Sequence, residues 1–161
     1  LDELTGGKNV ALVSDAGTPL ISDPGFKLVR EAIAKGIKVE SIPGPSAVIA
    51  ALTVSGLPPD KFLFLGYLPK KDAKRKNLLS ILFTILHSIE DRSLKPTIIL
   101  FESPYRLLQT LGDIKEVLGD IDIVVCRELT KIHEEVRREK VFESIEHFSK
   151  IEPKGEFTIL I

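Results

Sequence analysis

The sequence predicts an α/β fold in two domains. Short apolar runs of strand type alternate with segments of helical apolar spacing, the loops behind the runs are rich in Gly, Pro and Ser, and Pro58-Pro59 interrupts the alternation. The first half reads strand, loop, helix twice over, which is the pattern of a parallel sheet. The second half alternates less regularly and predicts a mixed sheet. Because the proline pair neither continues a helix nor bends freely, it divides residues 1–59 from residues 60–161.

Each element has its own signature. "KNVALVSD" reads as a strand, and "PGFKLVREAIAKG" sets Phe26, Leu28, Val29 and Ile33 at helical spacing before the stop at Gly36. "IKVESIPGPSA" gives a second strand ending in a Pro-Gly-Pro turn, after which Ser46 is placed to cap "AVIAALTVSG". Beyond the prolines come a strand, "KFLFLGYL", a basic loop, "PKKDAKRK", and a helix, "NLLSILFTILHSIED", with Leu78, Leu82, Ile85 and Ile89 on one face. "KPTIILFESP" is a strand leading into a helix, with Ser103 as cap and Pro104 in its first position. "DIDIVVCREL" and "EEVRREKV" are strands, "FESIEHFSK" a short helix and "GEFTILI" the last strand.

Composition narrows the partners. The 161 residues are 43% hydrophobic and 28% charged, enough apolar material for a buried core. Lysine and arginine number 22 against 23 acids, so the net charge of -1 supplies no global field toward a polyanion; any such site must be a local patch. No apolar stretch reaches the ~18–20 residues of a membrane span. The single cysteine, Cys126, lies in an apolar run and reads as a reduced core residue, which predicts a cytoplasmic address. His87, His133 and His147 have no second ligand at metal spacing, so no metal site is expected. The chain opens without methionine and stops in what reads as a strand, and is expected to be a piece of a longer protein.

In open α/β sheets ligands bind at the carboxyl ends of strands, and three loops there share a character: "SDAGTPLISDPG", "PGPSA" and "FESP". Small residues let main-chain N–H and C=O groups touch a ligand directly, and Gly17 and Gly25 also permit positive φ. Asp15 has two readings, a local Asx turn or a carboxylate facing a ribose hydroxyl or an ammonium group. Asp23, just before a helix, reads as its cap. Glu102 closes a strand and is either a cap partner or ligand-facing. A phosphatase loop does not fit "SDAGT", since its two aspartates would fall on Ser14 and Ala16, and no phosphate-binding glycine motif occurs. The run Lys70, Lys71, Lys74, Arg75 and Lys76 reads either as solvated surface or as a phosphate-binding patch for RNA.

Taken in order and spacing, "ALVSDAGTPLISDPG", "IPGPSA", "FLGYLPKK", "FESPYRL" and "CRELTKIHEE" resemble the ribosomal RNA small-subunit methyltransferase I proteins, a branch of the tetrapyrrole (corrin/porphyrin) methylase superfamily. The resemblance covers nearly the whole chain, with the family's opening strand and glycine loop missing. It implies two α/β domains, a partial parallel-sheet N-domain and a mixed-sheet C-domain, with S-adenosylmethionine bound in the cleft between them. The activity implied is 2'-O-methylation of a cytidine ribose in 16S ribosomal RNA. Its implied partners are that RNA or the 30S subunit and a second copy of the chain, in a homodimer without membrane or metal. By position, Ser14, Asp15, Ala16, Gly17, Thr18, Ser46, Ala47 and Glu102 are the expected cofactor contacts. Asp15 and Glu102 are also the candidates for orienting or deprotonating the acceptor hydroxyl. Lys70, Lys71, Lys74, Arg75, Lys76, Arg106 and Lys131 are the expected RNA contacts. Two other readings stand beside this one, a tetrapyrrole C-methyltransferase and a non-catalytic RNA-binding fragment. The truncated cofactor domain implies that this chain alone is inactive.

Overall fold

A computed structural model describes residues 1–161, which fall into two compact units, Leu1–Ser46 and Ala47–Ile161. The first contains only helices α1 (Asp2–Thr5) and α2 (Phe26–Ala34). The strands expected at "KNVALVSD" and "IKVESI" are not formed, and neither segment joins a ladder, so the expected parallel sheet is absent from this unit. A lone extended run cannot satisfy its main chain by pairing and gains nothing over water. Val13 and Ile42 are accordingly each 80% exposed. Asp23 does not cap α2: the residue before the helix is Gly25, at φ 129, and no side chain bonds the free N–H groups. None of the apolar face expected on this helix is buried: Leu28 and Val29 are half-buried, Ile33 is exposed, and Phe26 is exposed beneath the Arg30 guanidinium at 5.5 Å from its ring, while the buried residue is Ala32.

The second unit is a three-layer α/β fold. It runs α3 (Ala47–Ser55), β1 (Phe62–Tyr67), α4 (Asp72–Ser88), β2 (Thr97–Glu102), α5 (Leu107–Leu118), β3 (Asp122–Arg127), β4 (Glu135–Lys140), α6 (Val141–Lys150) and β5 (Phe157–Leu160). The five strands lie in the order β1-β2-β5-β3-β4. Only β1 and β2 are parallel and the other three pairings are antiparallel, so the sheet is mixed as its irregular alternation predicts.

Period-two alternation divides the core into two layers. Ile98 and Leu100 of β2, Ile123 and Val125 of β3, and Phe157 and Ile159 of β5 face Leu79, Leu107, Leu111, Ile114, Val141 and Phe148 of the helices α4, α5 and α6. Their neighbours Ile99, Val124, Cys126 and Leu160 point to the other face, against Val48, Ala51 and Leu52 of α3. Each Val, Leu, Ile or Phe among them contributes about 1.5–3 kcal/mol on withdrawal from water, before the entropy of ordering it.

Two helix starts differ from expectation. Helix α4 begins at Asp72, so Lys74, Arg75 and Lys76 sit on its first turns rather than in a loop. Its buried stripe is Arg75, Leu79 and Leu82, whereas Ile85, expected inside, is half exposed. Helix α5 begins at Leu107 behind a turn in which the Ser103 carbonyl accepts the Arg106 N–H at 3.1 Å, so Ser103 is not its cap. Pro104 lies in that turn and not in the first helical position.

Candidate functional site

Within the first unit, the two glycine- and proline-rich loops come together. The Thr18 hydroxyl donates to the Pro45 carbonyl at 2.9 Å, tying the segment Ser14–Thr18 to the turn that leads to Ser46 and Ala47. Gly17 has φ 71, and a Cβ there would stand 3.7 Å from that same Pro45 carbonyl. The Ser14 hydroxyl folds back on the Ala16 and Gly17 carbonyls at 3.2 and 3.3 Å, which rounds the loop into a tight bend. Leu20 and Ser22 also take positive φ, 74 and 62, an uncommon conformation for residues with a Cβ and one that sequence patterning did not signal. Asp15 sits at the bend, exposed, with neither a hydrogen bond nor an ion pair. It caps nothing.

Glu102 lies in the second unit, in different surroundings. Its side chain is out of contact with solvent at the carboxyl end of β2. One carboxylate oxygen accepts the Ser103 N–H at 2.7 Å and Arg106 Nε at 3.0 Å; the other accepts Arg106 Nη2 at 3.0 Å and the Thr110 hydroxyl at 2.5 Å. Four donors thus fill a group that offers about four acceptor positions. Glu102, Arg106 and Thr110 are four residues apart at each step, but Glu102 ends β2 and α5 begins only at Leu107, so the network closes across the turn and not along one helical face. Arg106 also donates from Nη2 to the Leu68 carbonyl at 3.1 Å, linking the turn after β2 to the loop after β1.

The cations expected to face RNA separate into two classes. Lys70, Lys71 and Lys74 are exposed and form no ion pair. Arg75 is fully buried, a correction to its place in a phosphate-binding patch. Its guanidinium bonds the Asp113 carboxylate, Asp72 at 3.0 Å, and the carbonyls of Pro69 and Lys70 at 3.3 and 3.2 Å. Burial without such partners would be prohibitive for a charge, so the residue was drawn inward with its acids. Lys76 is engaged by Glu116 at 2.7 Å, a hydrogen bond that raises its pKa, and Lys131 by Glu156 at 2.9 Å and Glu128 at 3.0 Å. Glu128 is held below the usual carboxylate range, first by the Glu156 N–H and then by Lys131.

Other reactive groups are structural. The Cys126 thiol is buried, which pushes its pKa up to about 11. His87 stacks on Phe83, with ring centroids 3.8 Å apart. No group of three or more His, Cys, Asp or Glu side chains is placed to hold a metal ion. No helix is long and apolar enough to cross a membrane.

Comparison with known proteins supplies what geometry does not. Residues 1–144 match the family described as Tetrapyrrole (Corrin/Porphyrin) Methylases. The chain is 48% identical over 158 residues to the protein named Ribosomal RNA small subunit methyltransferase I in Thermotoga maritima, covering 98% of this chain and 67% of that one. A relative of the same name in Mesorhizobium japonicum is 48% identical over 98% of this chain and 51% of its own length; one in Halalkalibacterium halodurans is 42% identical over 100% and 53%. The chain thus spans about half to two thirds of these relatives. Among solved structures, the methyltransferase CobJ superposes with a TM-score of 0.66 at 16% identity over 99% of this chain and 66% of that one. Uroporphyrin-III C-methyl transferase from Thermus thermophilus, complexed with S-adenosyl homocysteine, gives 0.52 at 18% identity over 89% and 62%. The chain belongs to the tetrapyrrole (corrin/porphyrin) methylases, in the branch of the ribosomal RNA small-subunit methyltransferase I proteins.

Proposed function

We propose that this chain is part of an S-adenosylmethionine-dependent methyltransferase that methylates the ribose 2'-hydroxyl of a cytidine in 16S ribosomal RNA, acting in the cytoplasm as a homodimer. The observation that carries the reading is the pinning of the Ser14–Thr18 bend to the Pro45 turn by a side-chain hydrogen bond, at a backbone opened by Gly17. Such a bend suits a nucleoside with an amino-acid tail, because it offers main-chain donors and acceptors at close range beside one unpaired carboxylate. Ser14, Asp15, Ala16, Gly17, Thr18, Ser46 and Ala47 are the residues assigned to hold it, and residues 1–59 the part of the cofactor-binding domain they belong to. The cofactor, when bound, supplies an electrophilic methyl group.

The residues divide the remaining work. Methyl transfer to an oxygen needs the acceptor aligned at ~3–3.5 Å and its proton removed. Asp15 is the carboxylate free to take that proton or to orient the hydroxyl. Glu102 already has its acceptor positions filled, so its assigned part is positional, holding the turn after β2 and, through Arg106, the loop after β1. Lys70, Lys71 and Lys74 are assigned to the RNA backbone.

The relatives named for ribosomal RNA methylation, at 42–48% identity, favour RNA over a tetrapyrrole, since the solved methylases CobJ and uroporphyrin-III C-methyl transferase are only 16–18% identical. The test offers small-subunit RNA and a porphyrinogen to the chain completed to the length of its relatives, with a methyl-labelled donor. Label in the ribose of the RNA is the expected result; label only in the macrocycle refutes it. Label in neither, with RNA still bound, leaves the non-catalytic module. Titration calorimetry with S-adenosylhomocysteine should give weak or no heat for this chain alone and saturable heat for the completed one. Asp15→Ala should lower turnover, and unchanged turnover removes its role.

A further inference from the structure

We infer that Tyr105 is a stacking platform for an unpaired base of the RNA substrate, set beside a phosphate clamp made by Lys70, Lys71 and Lys74. The inference rests on the RNA reading above and adds the element that would read the strand. Tyr105 is 97% exposed, an extreme for an aromatic side chain, which would ordinarily bury most of its ring. It does not stand on a loose loop. On one side of it, Glu102 is fixed by four hydrogen bonds; on the other, Arg106 is held by that same carboxylate and opens α5. A ring projected into water from a pinned turn loses little further backbone entropy when something stacks on it.

The cations are tied to the same turn. In the parallel pairing of β1 with β2, Tyr67 lies opposite Phe101, which brings the loop after β1 next to the turn after β2. Three consecutive carbonyls of that loop are held by two arginines, Leu68 by Arg106 and Pro69 and Lys70 by Arg75. Lys70, Lys71 and Lys74 therefore project from a braced segment and carry the free positive charge there, while Arg75 and Lys76 are spent on acids. A ring face beside unpaired cations fits single-stranded nucleic acid, in which bases stack and phosphates pair. A duplex keeps its bases inside and would meet only the lysines.

The chain has no tryptophan and two tyrosines, so its intrinsic emission reports on Tyr67 and Tyr105 alone. The experiment titrates the chain with a short single-stranded oligocytidylate and with an RNA duplex of equal length, across a range of salt. Quenched tyrosine emission with the single strand is expected, together with a loss of affinity of about 5- to 150-fold in Tyr105→Ala, near-native affinity in Tyr105→Phe, and an unaltered salt slope in both. Native affinity in Tyr105→Ala overturns the inference while leaving the RNA reading in place. So does a Tyr105→Phe variant as weak as Tyr105→Ala, which assigns the effect to the hydroxyl. If the wild-type chain ignores RNA and takes up an anionic tetrapyrrole, the RNA reading itself falls first.

Discussion

Replacing Arg75 with methionine tests how much of the second unit depends on one buried ion pair. Methionine keeps most of the aliphatic volume between α4 and α5 and removes the charge. Asp113 is left almost fully buried with its principal partner gone, a situation that typically costs about 3–5 kcal/mol. The lower end applies here, since Lys76 Nζ remains 3.7 Å from the other Asp113 oxygen and screens part of the charge. The carbonyls of Pro69 and Lys70, part-buried where they meet the guanidinium, also lose a donor, which adds to the loss. With a urea dependence of about 1.5–2 kcal/mol/M for a unit of this size, a loss of about 3 kcal/mol moves the unfolding midpoint down by about 1.5–2 M. Far-UV circular dichroism at equal slope is the assay. The double variant Arg75→Met, Asp113→Leu should recover most of the loss, because it removes the stranded charge along with its partner. A midpoint shift below about 0.5 M in Arg75→Met, or a double variant as unstable as the single one, refutes the account.

Three further outcomes follow from single groups. Cys126, buried and with its thiol near 11, should resist a thiol reagent at pH 8 in the folded chain and react once urea exposes it; rapid labelling of the native chain contradicts that placement. Glu128 has a depressed pKa, so its stabilising contribution is complete above the ordinary value of 4.5 and is lost as pH falls through the lower folded value. Amide exchange in residues 128–134 should accelerate on that acid side, and Glu128→Gln should abolish the dependence. Gly25→Ala should destabilise α2 by about 1–2 kcal/mol, since φ 129 is unfavourable for any residue with a Cβ and the added carbon would meet Leu12 Cδ2 at 2.6 Å; unchanged exchange protection in the helix rejects it.

What the sequence made legible follows from the range over which each signal acts. Strands β2, β3 and β5 were readable because both faces are covered, so unbroken apolar runs such as "TIILF" and "DIVVC" have no competing interpretation. The apolar runs near Val13 and Ile42 carry the same local signal and form no strand, because a strand exists only in its partner and no window of sequence contains the partner. Arg75 shows the converse. In a row of five cations it is indistinguishable from its neighbours, and what draws it inside is Asp113, thirty-eight positions away on another helix. Composition therefore located a basic patch correctly in the chain but could not sort its members into those facing solvent and those bracing the loop. Glu102 was legible as a chemically loaded residue at a strand end, yet whether its carboxylate was free depended on Arg106 and Thr110, visible only as a spacing of four and eight. Tyr105 lies between them on a segment apart from the basic run, near which only Tyr67 offers a ring in sequence, so chain order alone does not set it beside the lysines. Only when both flanking side chains are seen locked in place does its exposure acquire a physical meaning: the chain braces a ring that it does not use for its own core.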